Sequence, residues 1–240
     1  MSSGIYAALS GALSKQQTIE VVAGNLSNIN TAGYKKDRVH FAAVLDDATQ
    51  AGSSRGINYT YIPDTRTDFT QGLMQTTEND YDVAINGDGF FKVKRGEEIL
   101  YTRLGNFDRA SDGTLITRSG EKVLSADNKI ITIPEGPISI DERGSILGPE
   151  GEAGKIAVFN PDVKLLEKQG NSQFAYSGNE QGVKLSSGAQ IFQRRLEASN
   201  VRSMEEVTVM MTGMREFESY QKAMKNYYAL EQKAAELGSL

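Results

Sequence analysis

The residues that could do chemistry are few. The chain of 240 residues has no cysteine and one histidine, His40. Thiolate catalysis, disulfides and a histidine-based zinc site or catalytic dyad are therefore out of reach. His40 sits beside Phe41 in what reads as the exit from a helix, where a solvated or core-edge imidazole is expected. Gly87 and Gly89 are followed by no third glycine and no Lys-Ser/Thr in register, so they suit a tight turn and not a phosphate cradle. Asp80, Asp82 and Asp88 lack the ligand spacing and closing glutamate of a calcium loop. Asp108, Asp112, Asp141 and Glu142 border turns, and no pair stands out as the acid and base of glycoside cleavage. Two polar clusters remain. Tyr34, Lys35, Lys36 and Arg38 are either a solvated helix exit or a contact to an acidic neighbour. Asn25, Ser27, Asn28, Asn30 and Thr31 are short polar side chains that bond to nearby backbone and favour helix ends. Gly33 then supplies the positive φ that stops a helix. This stretch reads as a helix end whose amides are available to bond to something else.

The elements that position these clusters lie at the two ends. Ile5, Leu9, Ala12, Gln16, Ile19, Ala23 and Leu26 recur at alternating spacings of four and three, the pattern of a coiled-coil-like seam. A helix over about 3–28 would be roughly 40 Å long. At the other end Val207, Met210, Met214, Phe217, Met224 and Tyr228 form a second stripe, broken by Gln221. Glu205 and Glu206 suit the positive end of a helix dipole. A helix over about 203–237 would be roughly 50 Å long. Antiparallel pairing of the two ends is the simplest way to bury both stripes. Five of the seven methionines fall in the second helix. Methionine adapts to imperfect packing, so that face suits several non-equivalent neighbours as well as it suits an ordinary core.

Between the ends the pattern is β. Val39, Phe41, Val44 and Leu45 form a short apolar segment, Gly52 to Gly56 a flexible joint, and Asn58 to Ile62 an alternating strand. Tyr81 to Val93 reads as a hairpin turning at Asn86-Gly87 and Asp88-Gly89. Short strands follow at Ile130–Pro134, Ile138–Ile140, Ser145–Leu147 and Lys155–Phe159, separated by Gly or Pro as in a sandwich or barrel. The net charge of −5 without a basic tract speaks against a nucleic-acid partner. No apolar run is long enough to span a membrane. The N-terminus lacks the basic and continuous apolar regions of a cleavable signal.

Several stretches resemble one family. Asn25-Leu26-Ser27-Asn28-Ile29-Asn30-Thr31-Ala32-Gly33-Tyr34-Lys35 closely resembles the N-terminal signature N-L-A-N-x-N-T-x-G-F/Y-K of bacterial flagellar rod and hook proteins, with Ser27 where Ala is commoner. Asp82 to Phe91 resembles D-x-A-I-x-G-x-G-F-F, carrying Gly87, Gly89 and Phe90. Tyr101 to Phe107 resembles Y-T-R-x-G-x-F. Leu196-Glu197-Ala198-Ser199-Asn200-Val201 resembles L-E-x-S-N-V. Asp68 to Thr77, Ile131 to Pro134 and Leu166 to Phe174 are further likenesses, so the resemblance runs in order along nearly the whole chain. Its middle and its length are most similar to the proximal-rod members, then to the distal-rod members.

The resemblance implies an α+β protein. A discontinuous N- and C-terminal helical coiled-coil domain would flank a central all-β domain. The expected boundaries are 1–34 for the first helix, 35–80 for an extended connector, 81–195 for an independent β domain and 196–240 for the last helix. It implies a structural subunit of the basal-body rod that polymerises helically into a hollow shaft and has no enzymatic activity. It also implies export in unfolded form by the flagellar apparatus without signal cleavage, and a place in the periplasmic part of the basal body. The implied partners are further copies and other rod and hook axial proteins, with no cofactor, nucleic acid or small-molecule substrate. The stripes Ile5, Leu9, Ala12, Ile19, Leu26 and Val207, Met210, Met214, Phe217, Met224, Tyr228 would be subunit contacts. A hook-type or surface filament protein and a β-domain hydrolase are the other classes.

Overall fold

Apolar positions at helical spacing near both termini, and turn residues every few positions between them, give two helices and a set of antiparallel strands. A computed structural model describes residues 2–44 and 59–238. The chain divides into two compact units: a helical unit of 1–27, 37–68 and 202–240, and a β unit of 28–36 and 69–201.

In the helical unit α1 (Ser2–Ser27) runs antiparallel to α2 (Ser203–Gly238). Tyr227 lies over Gly4, Tyr220 over Gly11 and Ile19 over Gly213. At the far end Asn25 bonds Glu206. Strands β1 (Asp37–Val44) and β2 (Tyr59–Thr67) pair antiparallel and pack against α1. The apolar segment and the alternating strand expected here are therefore present. Leu45, Asn58 and the expected joint at 52–56 lie outside the described residues.

The seam between the helices is not the stripe of largest apolar residues. On α1 the buried positions are Ala8, Gly11, Ala12, Ser14, Thr18, Val22 and Asn25. Of the expected stripe only Ala12 is buried. Ile5, Ile19 and Leu26 are half-buried, and Leu9 is exposed. On α2 Met210, Phe217 and Met224 are half-buried, but Val207, Met214 and Tyr228 face out. The cause is steric. A Cβ at Gly11 would stand 2.5 Å from Cζ of Tyr220, and one at Gly4 2.5 Å from the Tyr227 hydroxyl oxygen. The helices approach where side chains are smallest and aromatic rings fill the gaps, so the contact shifts one position along α1. Helix pairing is present; the side chains that make it are largely others than those expected.

The β unit centres on a seven-stranded antiparallel sheet. Its order is 166–168, 173–176, 98–102, 91–95, 122–123, 115–117, 107–109. A three-stranded sheet of 139–140, 145–148 and 151–155 packs its apolar face on the same core, where Val83, Ile85, Phe91, Val93, Leu100, Val123, Ile146 and Ile156 meet. The expected hairpin over 81–93 does not form. Val83–Asn86 pairs with Gln190–Gln193, while Phe91–Arg95 pairs with Glu98–Thr102 and Lys122–Val123. Gly89, at φ +137°, brings the chain so close to Val158 and Phe159 that Phe90 bridges Phe159 instead. Val83, Ala84 and Ile85 are all buried, as in a strand covered on both faces and not one with a solvent side. The unit is also larger than the run 81–195, since it takes in 28–36 and 69–80 and extends to 201.

Candidate functional site: a buried lysine–glutamate–arginine cluster

Within the β unit, strand Arg195–Glu197 pairs antiparallel with Met74–Thr76, Glu197 opposite Met74. That pairing turns the Glu197 side chain inward, where it has no exposure. Oε1 accepts from Nζ of Lys35 at 2.6 Å and from the backbone N–H of Gly72 at 2.9 Å. Oε2 accepts from Nη1 of Arg103 at 3.3 Å. Lys35 is itself buried and donates also to the Thr70 carbonyl at 2.7 Å. Arg103 donates to the Gly87 carbonyl at 2.8 Å and lies over the Phe90 ring. Phe90 packs edge-on to Phe69 and Phe174. Burial lowers the Arg103 pKa; the negative charges of Glu197 and Asp88 oppose that shift. One carboxylate thus answers two buried cations, and its oxygens are taken up by N–H donors.

Glycines make room for this cluster. Gly33, at φ +64°, donates its N–H to the Glu197 carbonyl at 2.7 Å. A Cβ there would lie 2.7 Å from the Leu104 nitrogen. A Cβ on Gly72 would run into the Ala198 carbonyl oxygen. Three residues on, Asn200 Oδ1 accepts from the Lys36 N–H at 2.7 Å, and its Nδ2 donates to the Thr70 carbonyl and hydroxyl oxygens, each at 3.2 Å. Ser199 accepts from the Val201 N–H at 3.3 Å. Lys168 donates to the Lys35 carbonyl at 2.8 Å and sits over the Tyr34 ring.

The structure therefore gathers Gly33, Gly87, Phe90, Glu197, Ser199 and Asn200, singled out from separate stretches of sequence, around one buried carboxylate. Asn28 and Thr31 bond each other in the turn before Gly33, and Asn30 is exposed. Gly89 lies next to Phe90 against Val158. Asn25 belongs to the helical unit. Its side-chain oxygen accepts from the Asp37 N–H and its nitrogen donates to the Asp37 carbonyl, both at 2.9 Å. Its amide is buried inside the fold and is not offered outward. Of the basic cluster, Lys35 and Lys36 are buried, so the solvated helix exit gives way to a contact with an acidic residue of the same chain. Only Arg38 is exposed, paired with Asp68 at 2.6 Å. Sequence reasoning named Glu197 but not its partnership with Lys35 and Arg103. No local signal marks that partnership, because the three charged residues come from separate segments of the chain.

This arrangement is fitted to hold segments together. The carboxylate faces its donors. A cleft of about 630 Å³ lies elsewhere in the β unit, between the turns at 95–97, 119–121 and 169–171. There Glu121 bonds Thr117 and faces Arg95, and Glu97 pairs with Lys94. Among the described residues no three His, Cys, Asp or Glu side chains group as metal ligands, and no helix is long and apolar enough to cross a membrane.

Comparison with known proteins matches three family descriptions: "Flagella basal body rod protein" over 5–35, "Flagellar hook protein FlgE/F/G D1 domain" over 84–148, and "Flagellar basal body rod FlgEFG protein C-terminal" over 193–237. The chain is 32% identical to the flagellar basal-body rod protein FlgF of Caulobacter vibrioides over 98% of both chains. It is 30% identical to the basal-body rod protein FlgG of Bacillus subtilis, over 92% of this chain and 94% of that one. To FlgG of Borreliella burgdorferi it is 33% identical over 94% of each.

Proposed function

The chain belongs to the flagellar basal-body rod and hook family, and from that premise we propose that it is a non-catalytic FlgF-type subunit of the rod. The observation that carries the reading is the division of labour between the units. The β unit keeps most of its large apolar residues inside, and those it exposes, such as Leu73, Ile130, Leu147 and Leu185, lie on separate short segments. The helical unit leaves Leu9, Leu13, Val207, Met211, Met214 and Tyr228 exposed. Apolar side chains in that number on one helix pair are what a subunit shows when its neighbours are missing. The stripes named from the sequence serve as subunit contacts in this reading: Leu9, Val207, Met214 and Tyr228 directly, Ile5, Ala12, Ile19, Leu26, Met210, Phe217 and Met224 by shaping the pair behind them. Partners are other copies and other rod and hook axial proteins.

The FlgF assignment rests on the end-to-end match at nearly equal length and on the likeness of the 131–174 stretch to proximal-rod members. Delivery is by the flagellar export apparatus into the periplasmic part of the basal body, with the N-terminal segment retained. Gly4 lies in the helix seam, which supports retention. The test is genetic and biochemical. Deleting the gene should abolish rod completion and motility, and the native chain should restore both and appear in purified basal bodies at its uncleaved mass. Intact flagella in the deletion strain would refute the reading.

A further inference from the structure

The cleft of about 630 Å³ in the β unit carries features that the Glu197 cluster does not use. Three hairpin turns of the seven-stranded sheet wall it, those that follow Arg95, Thr117 and Lys168. Lys94 and Lys122 line it and stand directly opposite each other in neighbouring strands. Their Cβ atoms are therefore about 5 Å apart, a spacing at which like charges repel. Lys94 pairs at 3.2 Å with Glu97, whose side chain is almost wholly exposed, so water screens that pair. Lys122 forms no salt bridge among the described residues. Arg95 bonds Gln173 and keeps 42% of its side chain exposed. Glu121, 3.6 Å from it, is buried. Burial pushes the Glu121 carboxyl up, but hydrogen bonds from Thr117 and Gln173 outweigh this and hold it below the usual carboxylate range. One wall of the cleft is strained. Gly170, Asn171 and Ser172 follow one another at φ +83°, +49° and +55°, the left-handed region that glycine alone takes freely. Ser172 is buried, and its hydroxyl oxygen has no hydrogen-bond partner. Such strain and such unanswered groups gather where a ligand is clamped.

We propose that this cleft binds a multiply charged oxyanion, chelated between Lys94 and Lys122. An oxyanion placed between the two ammonium groups turns their repulsion into two charge-assisted hydrogen bonds. Arg95 adds a guanidinium at the same rim, suited to a second oxygen of the ligand. A cationic ligand fits less well, because three cations line the cleft against two carboxylates. Of those two, Glu121 is already taken up by its hydrogen bonds, and Glu97 stands in water. Ser119, Gln169 and Asn171 on the turns add hydroxyl and amide donors. Carboxylate and phosphate groups share this chemistry, and the volume admits a small molecule that carries several of either.

Citrate and pyrophosphate serve as probes for the two sources. Each is titrated into the full, isotope-labelled chain at constant ionic strength, with chloride as the control, and the backbone amide shifts are followed. Saturable shifts confined to 94–97, 119–122 and 169–172 are expected, with a Kd below about 1 mM. Lys122→Gln should weaken binding at least about tenfold, and Lys94→Gln together with Lys122→Gln should abolish it, with circular dichroism unchanged. Tighter binding of citrate would identify a carboxylate-bearing ligand, and tighter binding of pyrophosphate a phosphate-bearing one. Shifts that do not saturate, or that fall equally on Lys222 and Lys225 of α2, would reduce the effect to screening and overturn the proposal. A double variant that binds both probes as the native chain does would overturn it too.

Discussion

The β unit and the helical unit handle polar and apolar side chains in opposite ways. In the β unit most large apolar groups are interior, and the charges that accompany them inward are answered: Lys35 and Arg103 by Glu197, Lys92 by Glu180. In the helical unit the interior seam on α1 is made of Gly, Ala, Ser, Thr and Asn with one valine, Val22, and the leucines, methionines and tyrosines are mostly on the outside. A helix pair built this way buries little apolar area of its own, and apolar burial is the main favourable contribution to folding. The difference teaches that stability and association are written on different residues. In the proposed reading the first belongs to the β core and its ionic cluster, in which Nε of Arg103 alone among the charged nitrogens lacks a hydrogen bond, and the second to the exposed apolar residues of the helices.

The largest expected effect attacks the β side. Glu197→Ala leaves two cations buried without their carboxylate, and should destabilise the β unit by about 3–5 kcal/mol. Loss of slow hydrogen exchange over 81–175 would show it; an unchanged denaturation midpoint would mean that the cluster is solvated in solution. Next comes Gly33→Val, which puts a β-branched residue at φ +64° against the Leu104 backbone. A loss of about 2–3 kcal/mol is expected, and Gly33→Ala should lose less. On the helical side, Gly11→Leu should push Tyr220 out and cost about 1–3 kcal/mol. Helical circular dichroism should report it, with the exchange of residues 81–175 unmoved. If the β strands loosen equally, the two units do not fold separately. The smallest stability effect is that of Met211→Asp, within about 0.5 kcal/mol at an exposed helix position, yet rod assembly should be lost. A motile strain carrying it would break the comparison at its centre.

How much of this could be read from the chain differs by region. Both helices were visible because their apolar period runs for more than six turns. Which face they bury was not, because hydrophobic periodicity marks the largest side chains and close helix packing selects the smallest. The pairing partners in the β unit were also hidden. Val83–Asn86 and Phe91–Arg95 are neighbours joined by turn residues, and local rules favour a hairpin. The competing contacts come from Gln190–Gln193 and Glu98–Thr102, and the first is remote in sequence. At the site, Glu197, Gly33 and Asn200 stood out through resemblance alone. Their convergence needs segments far apart in the chain to meet, which no local pattern encodes. Lys35 is the instructive case: beside Lys36 and Arg38 it reads either as a solvated cation or as a contact to an acidic neighbour, and the Glu197 carboxylate decides for the second.

The place of Glu197 in the chain has a consequence in time. A ribosome makes Lys35 and Arg103 long before it makes Glu197. Until then the β unit has two cations destined for its interior and no anion to accompany them. Closing before Glu197 is made would strand those charges without their carboxylate, which is costly. A message cut short before codon 197 yields a product that cannot complete this unit and remains open to proteases. The last strand of the β unit thus supplies the anion that its earlier segments need.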